Sequence, residues 1–95
     1  MARVKSPPDF AERLRTSLVE GLKAAGIRAE VQSEAVPMTK LHRVLVLAAK
    51  FRHLKQYERQ DLVWRIMEKN LSPDEQLRIS MILTLTPAEA KGYWS

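Results

Sequence analysis

Two histidines are the only side chains here with the chemistry of a neutral nitrogen ligand. His42 and His53 stand eleven residues apart, and the chain has no cysteine. Catalytic zinc wants three protein ligands and structural zinc four, so the pair is a thin ligand set. His42 opens an apolar run beside a loop, and is the better candidate for one metal ligand in a site that a partner completes. The ordinary alternative for both is a solvated imidazole. The missing cysteine excludes disulfides, zinc–thiolate sites, iron–sulfur clusters on this chain's own thiolates, and cysteine nucleophiles. The three glycines, Gly21, Gly26 and Gly92, are scattered, so no phosphate-cradling loop exists. No nucleophile elbow or paired-carboxylate motif occurs. The chain is read as a non-enzyme.

Charge is the second chemical resource. The net charge is +5, and residues 35–71 hold eight basic against three acidic residues, so the excess sits in the middle of the chain. Arg43, Lys50, Arg52 and Lys55 form a candidate phosphate-attracting patch for nucleic acid. The plainer alternative is a solvated face of a strand and a helix.

The elements that must position these groups follow from pattern. With 95 residues, 45% hydrophobic and 28% charged, the chain is one small globular domain. Ser6-Pro7-Pro8-Asp9 reads as a helix start after a tail over residues 1–8, and the domain is placed at 9–95. Phe10, Leu14, Leu18, Leu22 and Ala25 recur at helical spacing, and Gly26 stops the helix. Ile27 to Gln32 alternates as a half-buried strand, and residues 33–41 read as loop. Val44 to Ala49 is a short apolar run that fits a buried strand. Residues 55–71 return to helical period, with Arg59, Leu62, Val63, Ile66, Met67 and Asn70 on one face. Ser72-Pro73-Asp74-Glu75 caps a short turn. Leu77, Ile79, Met81, Leu83 and Leu85 then alternate as the clearest strand, with Met67 and Met81 assigned to packing. Thr86-Pro87-Ala88-Glu89 caps a last short helix. This order predicts an α+β domain whose three-stranded sheet carries its helices on one face. The second and third strands are either parallel neighbours or separated by the first. No apolar run approaches the roughly 18 residues of a membrane span, and no apolar signal core follows the basic N-terminus. A cytoplasmic setting is expected.

Several of these segments resemble the BolA family. They are Val44-Leu45-Val46-Leu47, then Phe51, then Glu58-Arg59 with Leu62-Val63, then Thr84-Leu85-Thr86-Pro87-Ala88-Glu89. The family has a hydrophobic strand, a Phe-led loop, an Arg-His-Arg-Leu-Val helix segment and a strand ending in Thr-Leu-Thr-Pro-Glu-Glu. The resemblance spans roughly residues 9–90. It implies a class II KH-like fold and binding to a monothiol glutaredoxin, in some members through a shared [2Fe–2S] cluster. Some members are described as transcriptional regulators.

The departures bear on the site. The family's Arg-His-Arg is Arg59-Gln60-Asp61 here, and its cluster-ligating histidine on the last strand falls at Arg78. A guanidinium stays protonated and offers no neutral nitrogen. The second family ligand, in the loop between the first two strands, has no clear counterpart; Leu41 lies nearest and His42 is one residue off. No resident cofactor is expected, and the shared cluster that the resemblance implies lacks its ligand. The implied partner surface is Arg78 with the outer face of the second helix. By helical arithmetic Tyr57, Gln60 and Trp64 lie on that face, opposite Leu62 and Ile66; aromatics there make good interface anchors. The alternative is that a neighbouring short helix covers Trp64. For the nucleic-acid reading, the loop that corresponds to the KH Gly-x-x-Gly is Arg52-His53-Leu54-Lys55, basic but without glycine.

Overall fold

The structure, a computed structural model, describes residues 10–94. The helix-start signature Ser6-Pro7-Pro8-Asp9 and the expected tail lie outside the described residues. The elements run α1 (Phe10–Ala24), β1 (Glu30–Ala35), β2 (His42–Leu47), a 3-10 turn (Ala49–His53), α2 (Gln56–Asn70), α3 (Pro73–Gln76), β3 (Ile79–Leu85) and α4 (Pro87–Trp94).

The leucine stripe of α1 behaves as its spacing demands. Leu14, Leu18 and Leu22 are fully buried, each stabilising the fold by about 1.5–3 kcal/mol of removed apolar surface. The helix ends in a glycine cap. Gly26 takes φ 81°, its N–H donates to Lys23 O at 2.9 Å, and Ile27 N–H reaches back to Leu22 O at 2.8 Å. That cap carries the chain past Ile27 before pairing begins. β1 is therefore displaced towards the C-terminus from the expected 27–32, and most of the expected loop 33–41 shrinks to a tight connection.

The sheet order is β1-β2-β3. β1 pairs antiparallel with β2, from Glu30 opposite Leu47 to Ala35 opposite His42. β3 lies parallel to β2, the first of the two arrangements expected. The crossover through α2 makes this possible. Val31, Val44, Val46, Ile82 and Thr84 face α1 and α2 across the main core. Leu45 and Leu85 face the reverse side, where Ala90 of α4 packs on them. The two long helices share one face as expected, and α4 closes part of the other.

β3 departs from its apparent alternation for one reason. His42 is opposite Ile79 and Arg43 is opposite Met81, so Ser80 is an extra residue, a bulge. A one-residue slip moves side chains to the other face. Ile79 thus joins the main core with Ile82 and Thr84, while Met81, Leu83 and Leu85 turn to the reverse face. Leu77 falls before the strand and is 77% exposed, and Met81 is 43% exposed, so neither is a core residue; Met67 is.

Candidate interaction surface

The residues singled out from sequence fall at three places. The first is the end of the sheet where β2 begins. His42 N–H donates to Arg78 O at 2.7 Å, which locks the turn after α3 to the start of β2. The His42 ring meets Phe10 at 5.1 Å between centroids. The Arg78 guanidinium carbon stands 5.5 Å from the same Phe10 centroid, and that of Arg13 stands 6.0 Å from it. Arg13 is also ion-paired with Glu75. The Ser72 backbone N–H, and then Arg13, hold the Glu75 carboxyl below the usual range. Arg78 precedes β3 rather than lying within it. It is exposed, with no carboxylate partner among the described residues.

The donor set at this end offers an iron–sulfur cluster at most one imidazole, that of His42. Arg78 cannot ligate while protonated. His42 is half-buried, and its Nδ1 is buried with no hydrogen-bond partner among the described residues. No group of three or more His, Cys, Asp or Glu that could hold a metal exists among the described residues.

The second place is α2, where the helical arithmetic needs correction. Tyr57 is exposed as expected, at 68%. Gln60 instead reaches the edge of the sheet: its Nε2 donates to Ile82 O at 2.9 Å and Thr84 Oγ1 at 3.1 Å. Trp64 is half-buried against the main core. The physical reason is that α2 packs against both α1 and β3, so two flanks of the helix are occupied rather than one. Tyr57 is also about 20 Å of helix from the Arg78 end, at 1.5 Å per residue. The structure therefore does not gather Arg78, Tyr57, Gln60 and Trp64 into one patch.

The third place is the loop after β2. Lys50 Nζ donates to Gly26 O at 2.6 Å. Arg52 Nε donates to His53 Nε2 at 3.3 Å, and Lys55 N–H donates to Glu58 Oε1 at 2.8 Å. Arg52, His53 and Lys55 are exposed. Arg43 does not join them. It lies at the opposite end of β2, roughly 13 Å of strand away, and pairs with Glu34 at 2.9 Å.

The polar centre of the fold is a residue that sequence reasoning placed on the same helix face as the core stripe and in the family resemblance, without a role of its own. Arg59 is 7% exposed. Its Nε donates to Phe51 O at 2.9 Å and Leu54 O at 3.1 Å, and Nη1 donates to Thr84 O at 3.1 Å and Glu89 Oε1 at 2.8 Å. An arginine amid Leu62, Val63 and Ile66 signals a buried, satisfied cation, but its partners come from distant segments. With Gln60 on Ile82 O, Arg59 on Thr84 O takes up carbonyls of the edge strand β3, which blunts that edge.

This architecture defines a BolA-like α+β domain. It is similar to the solved structure of BolA1 from Arabidopsis thaliana, with TM-score 0.58 and 19% identity over 87% of this chain and 98% of that one. It is also similar to BolA1 from Mus musculus, with TM-score 0.53 and 17% identity over 100% of this chain and 82% of that one. At these identities the likeness is one of fold. No protein-family model and no curated protein matches the sequence.

Proposed function

We propose that the chain is a non-enzymatic interaction module with a regulatory role, docking on a monothiol glutaredoxin-type partner without giving it a cluster ligand. The observation that carries this reading is Arg78. It stands exposed and without a carboxylate partner among the described residues, held over Phe10 beside His42. In the BolA resemblance this is the position of the ligating histidine. A guanidinium there exchanges metal ligation for forked recognition of a carboxylate, on the partner or on glutathione. A cytoplasmic setting belongs to this reading. No helix among the described residues is long and apolar enough to cross a membrane.

The test is NMR titration of the labelled chain with a monothiol glutaredoxin, apo and cluster-loaded. Shifts at residues 77–79 and around His42 are expected, weakened by Arg78→Ala, with the visible spectrum of the cluster unchanged. No shift at any partner concentration overturns the reading.

A second reading rests on Arg52, His53 and Lys55, exposed together on the turn that leads into α2. They suit single-stranded nucleic acid, bound through phosphate. The double variant Arg52→Ala/Lys55→Ala is expected to weaken oligonucleotide binding and flatten its salt dependence; unchanged affinity counts against it.

A further inference from the structure

Among the described residues, four large hydrophobic side chains stand exposed: Met38, Tyr57, Leu77 and Met81. Three of them gather at one end of the domain. Met38 lies in the connection that leads into His42, Leu77 immediately precedes Arg78, and Met81 is opposite Arg43 at the start of β2. The backbone bond from His42 to Arg78 joins these segments.

Met38 is the least accountable of the three by folding alone. It is fully exposed, so its side chain contributes nothing to the core. Its φ is 65°, and no other non-glycine residue among the described residues has a positive φ. Pro37 and Met38 are the central residues of a turn closed by Thr39 N–H to Val36 O at 3.2 Å. A turn with Pro first and positive φ second favours Gly or Asn at the second place. The connection is nevertheless well tied. Val36 N–H donates to Leu41 O at 2.9 Å, Thr39 Oγ1 to Val36 O at 2.8 Å, and Leu41 N–H to Thr39 Oγ1 at 3.0 Å. A long thioether is thus presented on an ordered tip, in a backbone conformation that a smaller residue would adopt more easily. Methionine adapts its shape to a partner's pocket, and an ordered tip loses little freedom on binding.

Charge at this end says what surrounds that pocket. Arg13 and Arg43 are neutralised by Glu75 and Glu34. Lys40 and Arg78 have no carboxylate partner among the described residues. Lys40 and Arg78 are thus the cations without an ion pair beside the apolar tip, with the exposed carboxylate of Asp74 on α3 near them, and the complement of the tip is an apolar pocket whose carboxylates face those two cations.

We propose that Met38 is a docking anchor, seated in a carboxylate-rimmed apolar pocket of a protein partner. For the partner's identity this rests on the glutaredoxin reading above.

The test is calorimetric titration of the full chain and its Met38→Gly, Met38→Asn, Met38→Leu, Lys40→Glu and Arg78→Ala variants with a monothiol glutaredoxin, beside thermal unfolding. Gly and Asn both accept the positive φ, so the melting temperature is expected to hold or rise. Affinity is expected to fall about tenfold or more in both, as for an interface hot spot. Met38→Leu should recover most of it, and Lys40→Glu should weaken binding most at low salt. A raised melting temperature with unchanged affinity in Met38→Gly overturns the anchor. If wild type binds and only Arg78→Ala fails to, the anchor alone falls. If wild type does not bind, the glutaredoxin reading falls and the anchor with it.

Discussion

Arg59 Nη1 lies 2.8 Å from Glu89 Oε1, thirty residues further along the chain. The pair fastens α4 to α2, and the same Nη1 also donates to Thr84 O at the end of β3. With Nε on Phe51 O of the 3-10 turn, four elements share one guanidinium. Arg59 also stands 5.7 Å from the Phe51 centroid, which lies in the fully buried part of the core. Substituting Arg59 by Ala removes the side-chain donor from the carbonyls of Leu54 and Thr84 and leaves Phe51 O with Leu54 N–H alone. The expected loss is about 3 kcal/mol or more, read by denaturant unfolding. A loss under about 1 kcal/mol, the worth of one ordinary hydrogen bond, would contradict the role given to it.

Glu89 makes the same junction sensitive to acid. Arg59, then the Thr86 backbone N–H, lower its carboxyl pKa below the ordinary glutamate value. A carboxyl lowered in the folded state contributes stability that is present above its unfolded pKa. That contribution is lost as pH falls through the folded value. The melting temperature of wild type should therefore drop on acidification below the ordinary glutamate range more steeply than that of Glu89→Gln. Parallel pH profiles for the two proteins would refute it.

Gly21 marks the close approach of α1 to α2. A Cβ there would stand 2.5 Å from Ile66 Cγ2, on a stiff β-branched side chain. Helix propensity favours Ala over Gly by about 1 kcal/mol, while overpacking costs about 1–3 kcal/mol. Gly21→Ala is expected to destabilise the protein in the wild-type background and to become neutral or stabilising beside Ile66→Ala. A double-mutant cycle measures that coupling; additive effects would show that the helices do not meet there.

The three methionines among the described residues should oxidise in order of access. Met38 is fully exposed, Met81 43% exposed and Met67 fully buried. Exposure of the thioether governs conversion to the sulfoxide. Limited peroxide treatment with peptide mass mapping is expected to show Met38 first, Met81 next and Met67 last. Oxidation of Met67 as fast as Met38 would mean that the core opens readily.

The sequence by itself determined the elements and their order, because helical and alternating periods are local properties. The leucine stripe of α1, the glycine stop at Gly26 and the Ser72 and Thr86 caps all lie where their residues indicate. The segments around Phe51, Arg59 and Thr84-Leu85-Thr86 pointed to the fold as well. Tertiary structure alone decided how faces and charges meet. The bulge at Ser80 inverted the inward set of β3, since one unpaired residue changes the parity of all that follow. The packing of α2 against two neighbours turned Gln60 and Trp64 inward, where helical arithmetic allowed for one. Strand direction separated Arg43 from Lys50, Arg52 and Lys55, because residues a few positions apart on an extended chain stand far apart in space. Arg59 and Glu89, and likewise Met38 and Arg78, are remote in sequence. Their relations come from chain crossings that no local period encodes.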